Sequence, residues 1–554
     1  MPNLLKSLSF ASVMVLTSLP QARAEGFAGP YLAARSANIA NDYSAAAYYY
    51  SQAMSAAPDN ELVLQGGLFA LVASGDVQAG NAIARKMAAA GLKDEFSQTT
   101  LMVNAMARED YAATLAVLAN TEMDMNPLVR HLATGWAMIA KGEVEAGLAS
   151  FTTASENDAI TAFGLYHKGL ALAYLGRLED ADAIFKTGKA YVNRGALMAH
   201  AQIMAQLGRT DEALAFMMNG PGARVSDRGA DALRVRLSDG KLVSFDRVTG
   251  PKDGVAEIFF VLADALKTQN SGRLALFYAQ LAAFLQPDNA ETRLLIGDVL
   301  TAQSRFDLAL QAYEAVPQTD PLALDATMGR ALSLRRNGQL QEAANTLKAA
   351  LDLHPDAISL WQSLGDILRR NNQPEEAKTA YSAAINLLPA PDIRPAWRLF
   401  YSRAIVEQTA GDWPAAEADF RHALSLNPGQ ADVLNYLGYS LVDRGEKLDE
   451  ALGMIETAVK AQPDSGAIAD SLGWVYYRLG RYDEAVKAME TAVKLLPVDP
   501  ILSDHYGDVL WRIGRKREAR YQWRRALSYG PEPQDAVRIR DKLARGLDAV
   551  LAGE

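Results

Sequence analysis

Residues Gly466–Pro497 read GAIADSLGWVYYRLGRYDEAVKAMETAVKLLP. On a period near 3.6 the apolar positions divide into two short amphipathic helices, over about 468–479 and about 482–495, with Gly480 between them. Leu472, Gly473 and Tyr476 fall on one face of the first helix, and Ala485, Met489 and Ala492 form the facing stripe of the second. Small residues at Gly473 and Ala485 let the two rods approach closely. Pro497 has no amide hydrogen to offer a continuing helix, so the second rod ends there and the chain turns.

This pattern is copied along the chain. Ala377, Ala416, Ala451, Ala485 and Ala519 step by 39, 35, 34 and 34 residues, and Pro389, Pro428, Pro463, Pro497 and Pro531 step by the same intervals. Two columns that share their deviations as well as their period mark a helix-turn-helix array. Trp361, Leu364, Gly365, Leu368, Ala377, Tyr381, Ala384 and Pro389 resemble the tetratricopeptide repeat family, with only the aromatic expected at Leu368 replaced by an aliphatic. That resemblance implies an all-α, right-handed α-solenoid in which the first helices of the pairs line a concave groove.

The chain has 554 residues, 49% hydrophobic and 22% charged, with a formal net charge of −10 and no cysteine. That composition is a folded protein's, and a one-dimensional array escapes the usual division of such a length into several globular domains. The absence of cysteine removes disulfides, thiolate metal sites, cysteine nucleophiles and a lipid-anchored cysteine. Lys6, the apolar run Leu8–Leu19 and the small-x-small site Ala22-Arg23-Ala24 read as a secretory signal peptide over 1–24, its apolar run short for a membrane span. Cleavage takes away Lys6 and Arg23 and no acid, moving the charge from −10 to −12. The expected mature protein is periplasmic or secreted, without a transmembrane segment or lipid anchor, and too acidic for a general nucleic-acid binder.

An N-terminal repeat block is expected over 27–218, beginning with Tyr43, Ala46, Tyr50, Ala53 and Pro58. Looser units start near Glu61, Glu95 and Leu128, and the pattern sharpens at Gly169, Leu172, Ala181 and Phe185, then at Ala201, Gly208, Ala213 and Met217. Across 219–254 it fails. Six glycines stand there among prolines and charges, and Leu233, Val235, Leu237, Leu242 and Phe245 flank Ser238-Asp239-Gly240, which reads as a small hairpin or as a loop against the solenoid. The stretch is an insertion or linker, either a hinge or contact loop or a tolerated excursion. A C-terminal repeat block follows over 255–533, with a five-residue connector extension at Pro391–Pro395 and one extra residue between Gly445 and Leu448. A capping helix over about 535–551, within 534–554, closes a chain of roughly fourteen repeats.

No chemistry accompanies the pattern. The six histidines never pair at metal-ligand spacing, and phosphate loop, dinucleotide turn and nucleophile elbow are all missing, so no catalytic, cofactor or metal residue is assigned. Function then rests on surface. By repeat register the groove of the last three units carries Asn435, Tyr439, Asp470, Trp474, Tyr477, Asp504, Asp508, Trp511 and Arg512, where rigid aromatics beside carboxylates suit a protein or peptide partner. The competing reading is that Trp474 and Tyr477 pack between repeats. A second surface is the basic run Arg515, Lys516, Arg517, Arg520, Arg524 and Arg525, either a solvated face or a contact for an acidic partner or anionic envelope polymer.

Leu434–Pro497, followed by His505–Arg520, is similar to the C-terminal repeats of proteobacterial envelope tetratricopeptide proteins. That group includes the lipoprotein adaptor of a periplasmic carboxyl-terminal processing protease. The resemblance implies a non-catalytic envelope scaffold whose partner is a periplasmic protease or cell-wall hydrolase, although this chain lacks the anchoring cysteine. The alternative is an assembly factor for outer-membrane or exported-polymer machinery, and a hidden hydrolase would instead show turnover by the purified chain.

Overall fold

Ser465 starts the repeat that sets the pattern. Its hydroxyl accepts the Ile468 amide at the head of helix Gly466–Arg478, and helix Tyr482–Leu495 follows across the Gly480 turn. The ladder alanines Ala377, Ala416, Ala451, Ala485 and Ala519 are all fully buried. Four residues beyond each comes a large side chain that reaches back to the first helix of its pair. Tyr381 packs on Gly365, Met489 on Gly473 and Trp523 on Gly507, and a Cβ on any of these glycines would come within 2.8 Å of the ring or thioether. The close approach expected at Gly473 is therefore of backbone to the Met489 side chain. Ile455 packs on Gly438 in the same way, one residue farther apart in sequence; the extra residue is taken up by left-handed backbone at Gly445 (φ 70°) and Lys447 (φ 48°).

The structure, a computed structural model, describes residues 26–120, 125–156, 160–224, 227–241, 243–268, 271–390 and 393–552; the expected signal peptide, Leu242 and the start of the connector extension at Pro391 lie outside them. Among the described residues every regular element is helical, from Ala28–Ile39 to Leu547–Leu551. The chain forms an all-α array of stacked helical pairs, grouped into two compact units, one ending at Asn337 and the other beginning at Gly338. That division falls between helices Ala323–Arg336 and Leu340–Leu353, inside the block expected to run unbroken over 255–533.

In the first unit the pairs run from Ala28–Ile39 with Tyr43–Ala56 to Arg194–Gln206 with Thr210–Asn219, and first helices contact first helices, which places them on the inner side of the curve. Among its described residues the stretch 219–254 forms no hairpin. It holds a 3₁₀ turn, Pro221–Arg224, and a helix, Arg228–Ser238. Leu233 and Leu237 are buried and Val235 is exposed, so the alternation that suggested a strand is a helical face repeating every four residues.

After that helix the chain is tied down. The Gln202 amide bonds both the carboxylate and the backbone N–H of Asp246, and Val243 and Val248 are buried. Arg247 bridges Glu257 (2.9 Å) and Glu291, Glu291 also pairs with Arg194, and the Tyr166 hydroxyl donates to Glu257 at 2.8 Å. The excursion is a strap with a buried guanidinium at its centre.

The strap delivers helices Pro251–Thr268 and Gly272–Leu285 onto the inner side of the unit's own curve, against helices Glu61–Ala73, Glu95–Ala107 and Pro127–Ala140. Phe277 stacks on Phe69 and meets Phe96 edge-on, the Tyr278 hydroxyl donates to Glu95, and Gly254 lies against the Trp136 indole where a Cβ has no room. The groove that repeat register gives to an outside partner is filled here by the protein itself.

Under this packing the Trp136 indole N–H donates to His167 Nδ1 at 3.0 Å. Burial, with the charge of Arg247 added, pushes His167 down to about 3. The unfolded chain therefore takes up this proton near pH 6.5 and the folded one does not until near pH 3. The contribution is complete above about 6.5 and is lost as pH falls, at up to about 1.4 kcal/mol per unit. Acid titration of hydrogen exchange in helices 127–140 and 161–174 should show that slope, and His167→Phe should flatten it.

Candidate functional site

In the second unit helix Gly466–Arg478 contacts both helices Ala431–Arg444 and Pro500–Arg512, so these three first helices line the inner side. Two adjoining cavities open there. The larger, about 620 Å³, is lined by Tyr439, Trp474, Tyr477, Asp504, Asp508 and Arg512 among the residues expected in the groove. The smaller, about 350 Å³, takes Asn435, Tyr439 and Asp470. Tyr439 and Ile501 belong to both.

The aromatics serve both readings offered for them. Trp474 stacks on Tyr477 (centroids 4.8 Å apart) and on His505 (4.1 Å), and Trp474, Tyr477 and His505 all form cavity wall. His505 Nδ1 bonds Asp470 at 3.0 Å. Burial would lower the imidazole, but Asp470, with Asp504 and Asp508 beyond it, raises it, and the His505 ring and the Asp470 carboxyl form a buried pair beneath the indole. Asn435 Oδ1 and the Trp474 indole nitrogen have no hydrogen-bond partner among the described residues.

The acids expected to give the groove its polarity are answered by the protein. Asp504 is 1% exposed in its side chain and holds Lys542 Nζ at 2.8 Å, and Asp508 holds the same ammonium at 2.7 Å. Arg538 adds a bond to Asp504, and the Trp523 indole donates to Asp508 at 3.0 Å. Lys542 and Arg538 belong to helix Pro533–Arg545, whose inner face closes this end of the groove. Trp511 lines neither cavity. It is buried against Trp523 and donates its N–H to Asp548 at 2.8 Å. The capping helix expected over 535–551 breaks at Gly546 (φ 84°), which lies on the Trp511 ring, and resumes as Leu547–Leu551.

What remains open is an aromatic wall with an aliphatic lip. Leu496 and Ile501 border the smaller cavity, Ile501 is 48% exposed, and Val498 between them is 68% exposed. Arg478 lines the larger cavity with a single bond, to the Asp443 carbonyl, and no carboxylate partner among the described residues. Register could not have found Lys542 or His505. The first lies in a charged helix outside the repeats, and the second occupies a position that other repeats fill differently.

The basic run divides by use. Arg515 pairs with Glu518 and Glu490, and Arg525 donates to the Pro497 carbonyl and the Tyr529 hydroxyl. Lys516 and Arg520 lie over the Trp511 ring, while Arg517 and Arg524 are exposed.

A family model described as tetratricopeptide repeat matches residues 260–323, 328–392, 401–447 and 440–500. A TPR repeat-containing protein of Pseudomonas aeruginosa is 29% identical over 185 residues, 33% of this chain and 25% of that protein. Tetratricopeptide repeat protein 13 of Homo sapiens is 26% identical over 195 residues, 34% and 22% of the two chains. The matched part thus spans a quarter or less of either relative. Among solved structures, a chain of the APC/C hetero-tetramer Cut9–Hcn1 covers 94% of this chain and 96% of its own at 13% identity, with a TM-score of 0.39. Yeast Tom70 covers 77% and 96% at 13% identity and 0.35.

Proposed function

We propose that this chain, which carries tetratricopeptide repeats over most of residues 260–500, is a non-catalytic scaffold that takes a protein or peptide partner on the inner side of its second unit. Proteins of this repeat type serve generally as protein-interaction scaffolds. The observation that carries the proposal is the difference between the two units. The first fills its own curve with helices Pro251–Thr268 and Gly272–Leu285, whereas the second leaves Tyr439, Trp474, Tyr477 and the Leu496–Ile501 lip around open cavities. Such rings bury contact area at little conformational cost, which is the usual composition of binding hot spots.

The finer reading is an envelope adaptor that brings a periplasmic protease or cell-wall hydrolase to its target. It is supported by the leader-like first 24 residues and by the similarity of 434–520 to envelope repeat proteins. A photo-crosslinking residue placed at Ile501 in intact cells should capture the partner, and the Tyr439→Ala/Trp474→Ala chain should weaken it by about 2 kcal/mol per anchor, roughly thirtyfold each. Equal capture by the doubly substituted chain would overturn the groove assignment. Capture of an outer-membrane assembly component would replace the protease reading with the assembly one.

A further inference from the structure

We infer that the outer face of helix Lys516–Ser528 is a docking surface for an anionic lipid bilayer. Between Arg515 and Arg525 six cations stand against one acid, Glu518, on a chain whose formal charge is −10. Arg515 and Arg525 are engaged inside the protein as described above. Lys516, Arg517, Arg520 and Arg524 have no carboxylate partner among the described residues, and their helix holds the single acid Glu518, whereas the preceding second helix, Tyr482–Leu495, sets Asp483, Glu484 and Glu490 among its lysines Lys487 and Lys494. A solvated helix face usually alternates the signs of its charges, and this one is almost wholly cationic.

Helical spacing shows how the four are arranged. At about 100° per residue, positions 516, 520, 524, 517 and 521 form one stripe roughly 140° wide and about 12 Å long, beside the buried line Ala519, Trp523 and Ala526. Tyr521 stands within the stripe, 64% exposed. Arg525 binds the Pro497 carbonyl and so fixes to this helix the loop that presents Val498, 68% exposed. Cations on one side of a straight rod, with an exposed phenol among them and an aliphatic residue on the adjoining loop, match a plane of headgroups. Lipid phosphates neutralise such cations without a shaped pocket, and a tyrosine suits the interfacial layer. An acidic protein would be expected to meet a cleft or a bidentate arginine geometry, and none is built here.

Each cation held near an anionic surface multiplies binding about fivefold, so four give on the order of several hundredfold. The full chain should sediment with phosphatidylglycerol/phosphatidylcholine vesicles at about 50 mM salt, lose that binding at about 0.5 M, and ignore pure phosphatidylcholine. Arg517→Glu/Arg524→Glu should lower the binding at least tenfold with an unchanged thermal melt, since both side chains are exposed and neither makes a hydrogen bond or ion pair among the described residues. Sedimentation equal on neutral vesicles, or unmoved by the double charge reversal, would overturn the inference. Binding to soluble polyglutamate as tight as to the anionic vesicles would also overturn it, in favour of an acidic macromolecule. None of these outcomes bears on the groove, which lies on other helices.

Discussion

Replacing Arg247 with alanine is expected to destabilise the first unit by on the order of 3–5 kcal/mol, the range for stripping one partner from a buried ion pair. The guanidinium is 12% exposed and faces Glu257 at 4% and Glu291 at 15%. Burial would lower its proton affinity, but those two carboxylates raise it well above the usual arginine value. Without it Glu257, already raised by burial, keeps the Tyr166 hydroxyl as its one partner among the described residues, and Glu291 keeps Arg194. The strap then loses its anchor, and helices Pro251–Thr268 and Gly272–Leu285 lose the element that delivers them into the curve. Urea melts should show an early transition for the substituted chain, and adding Glu257→Gln should recover part of the loss by removing the orphaned charge. A tolerated excursion, the alternative reading of 219–254, would leave the melt unchanged.

The same residues show what the sequence could and could not reveal. Repeat register located the helical pairs on both sides of 219–254, because the alanine and proline columns are local signals that each pair must satisfy for itself. It did not reveal that one pair leaves the stack to fill the curve, since Phe277 meets Phe69 and Phe96 across about two hundred residues and no period records that contact. One sign was present. GRLALFYAQLAAFL, the helix Gly272–Leu285, is apolar on every side, and nine of its residues are buried, which marks a helix enclosed by others instead of lying on a surface. In the second unit Tyr439, Trp474 and Tyr477, which register assigns to the groove, line the larger cavity. Register misjudged Trp511 because the last repeat is covered by the C-terminal helices, whose contacts follow no repeat.

Lys542→Met removes one charge and nearly keeps the side chain's volume, and at neutral pH it should cost the second unit about 3–5 kcal/mol. The ammonium is 4% exposed and answers two carboxylates, Asp504 and Asp508, of which Asp508 otherwise has, among the described residues, the Trp523 indole alone. The sign of the pH dependence separates this cause from lost packing. Burial raises Asp508 even with Lys542 lowering it, and Asp504 pushes it further up, so removing the ammonium must raise it again. A carboxyl whose folded value lies above its unfolded one gains stability as pH falls from the folded value toward the unfolded one, near 4. The deficit of Lys542→Met against the parent chain should therefore be greatest near pH 8 and shrink by about half or more near pH 5, and Asp508→Asn in the same background should remove most of the remaining slope. A deficit constant across that range would mean that helix Pro533–Arg545 is held by its apolar contacts, Ala536 and Ile539, and that Asp508 stays ionised in the groove for a partner to read.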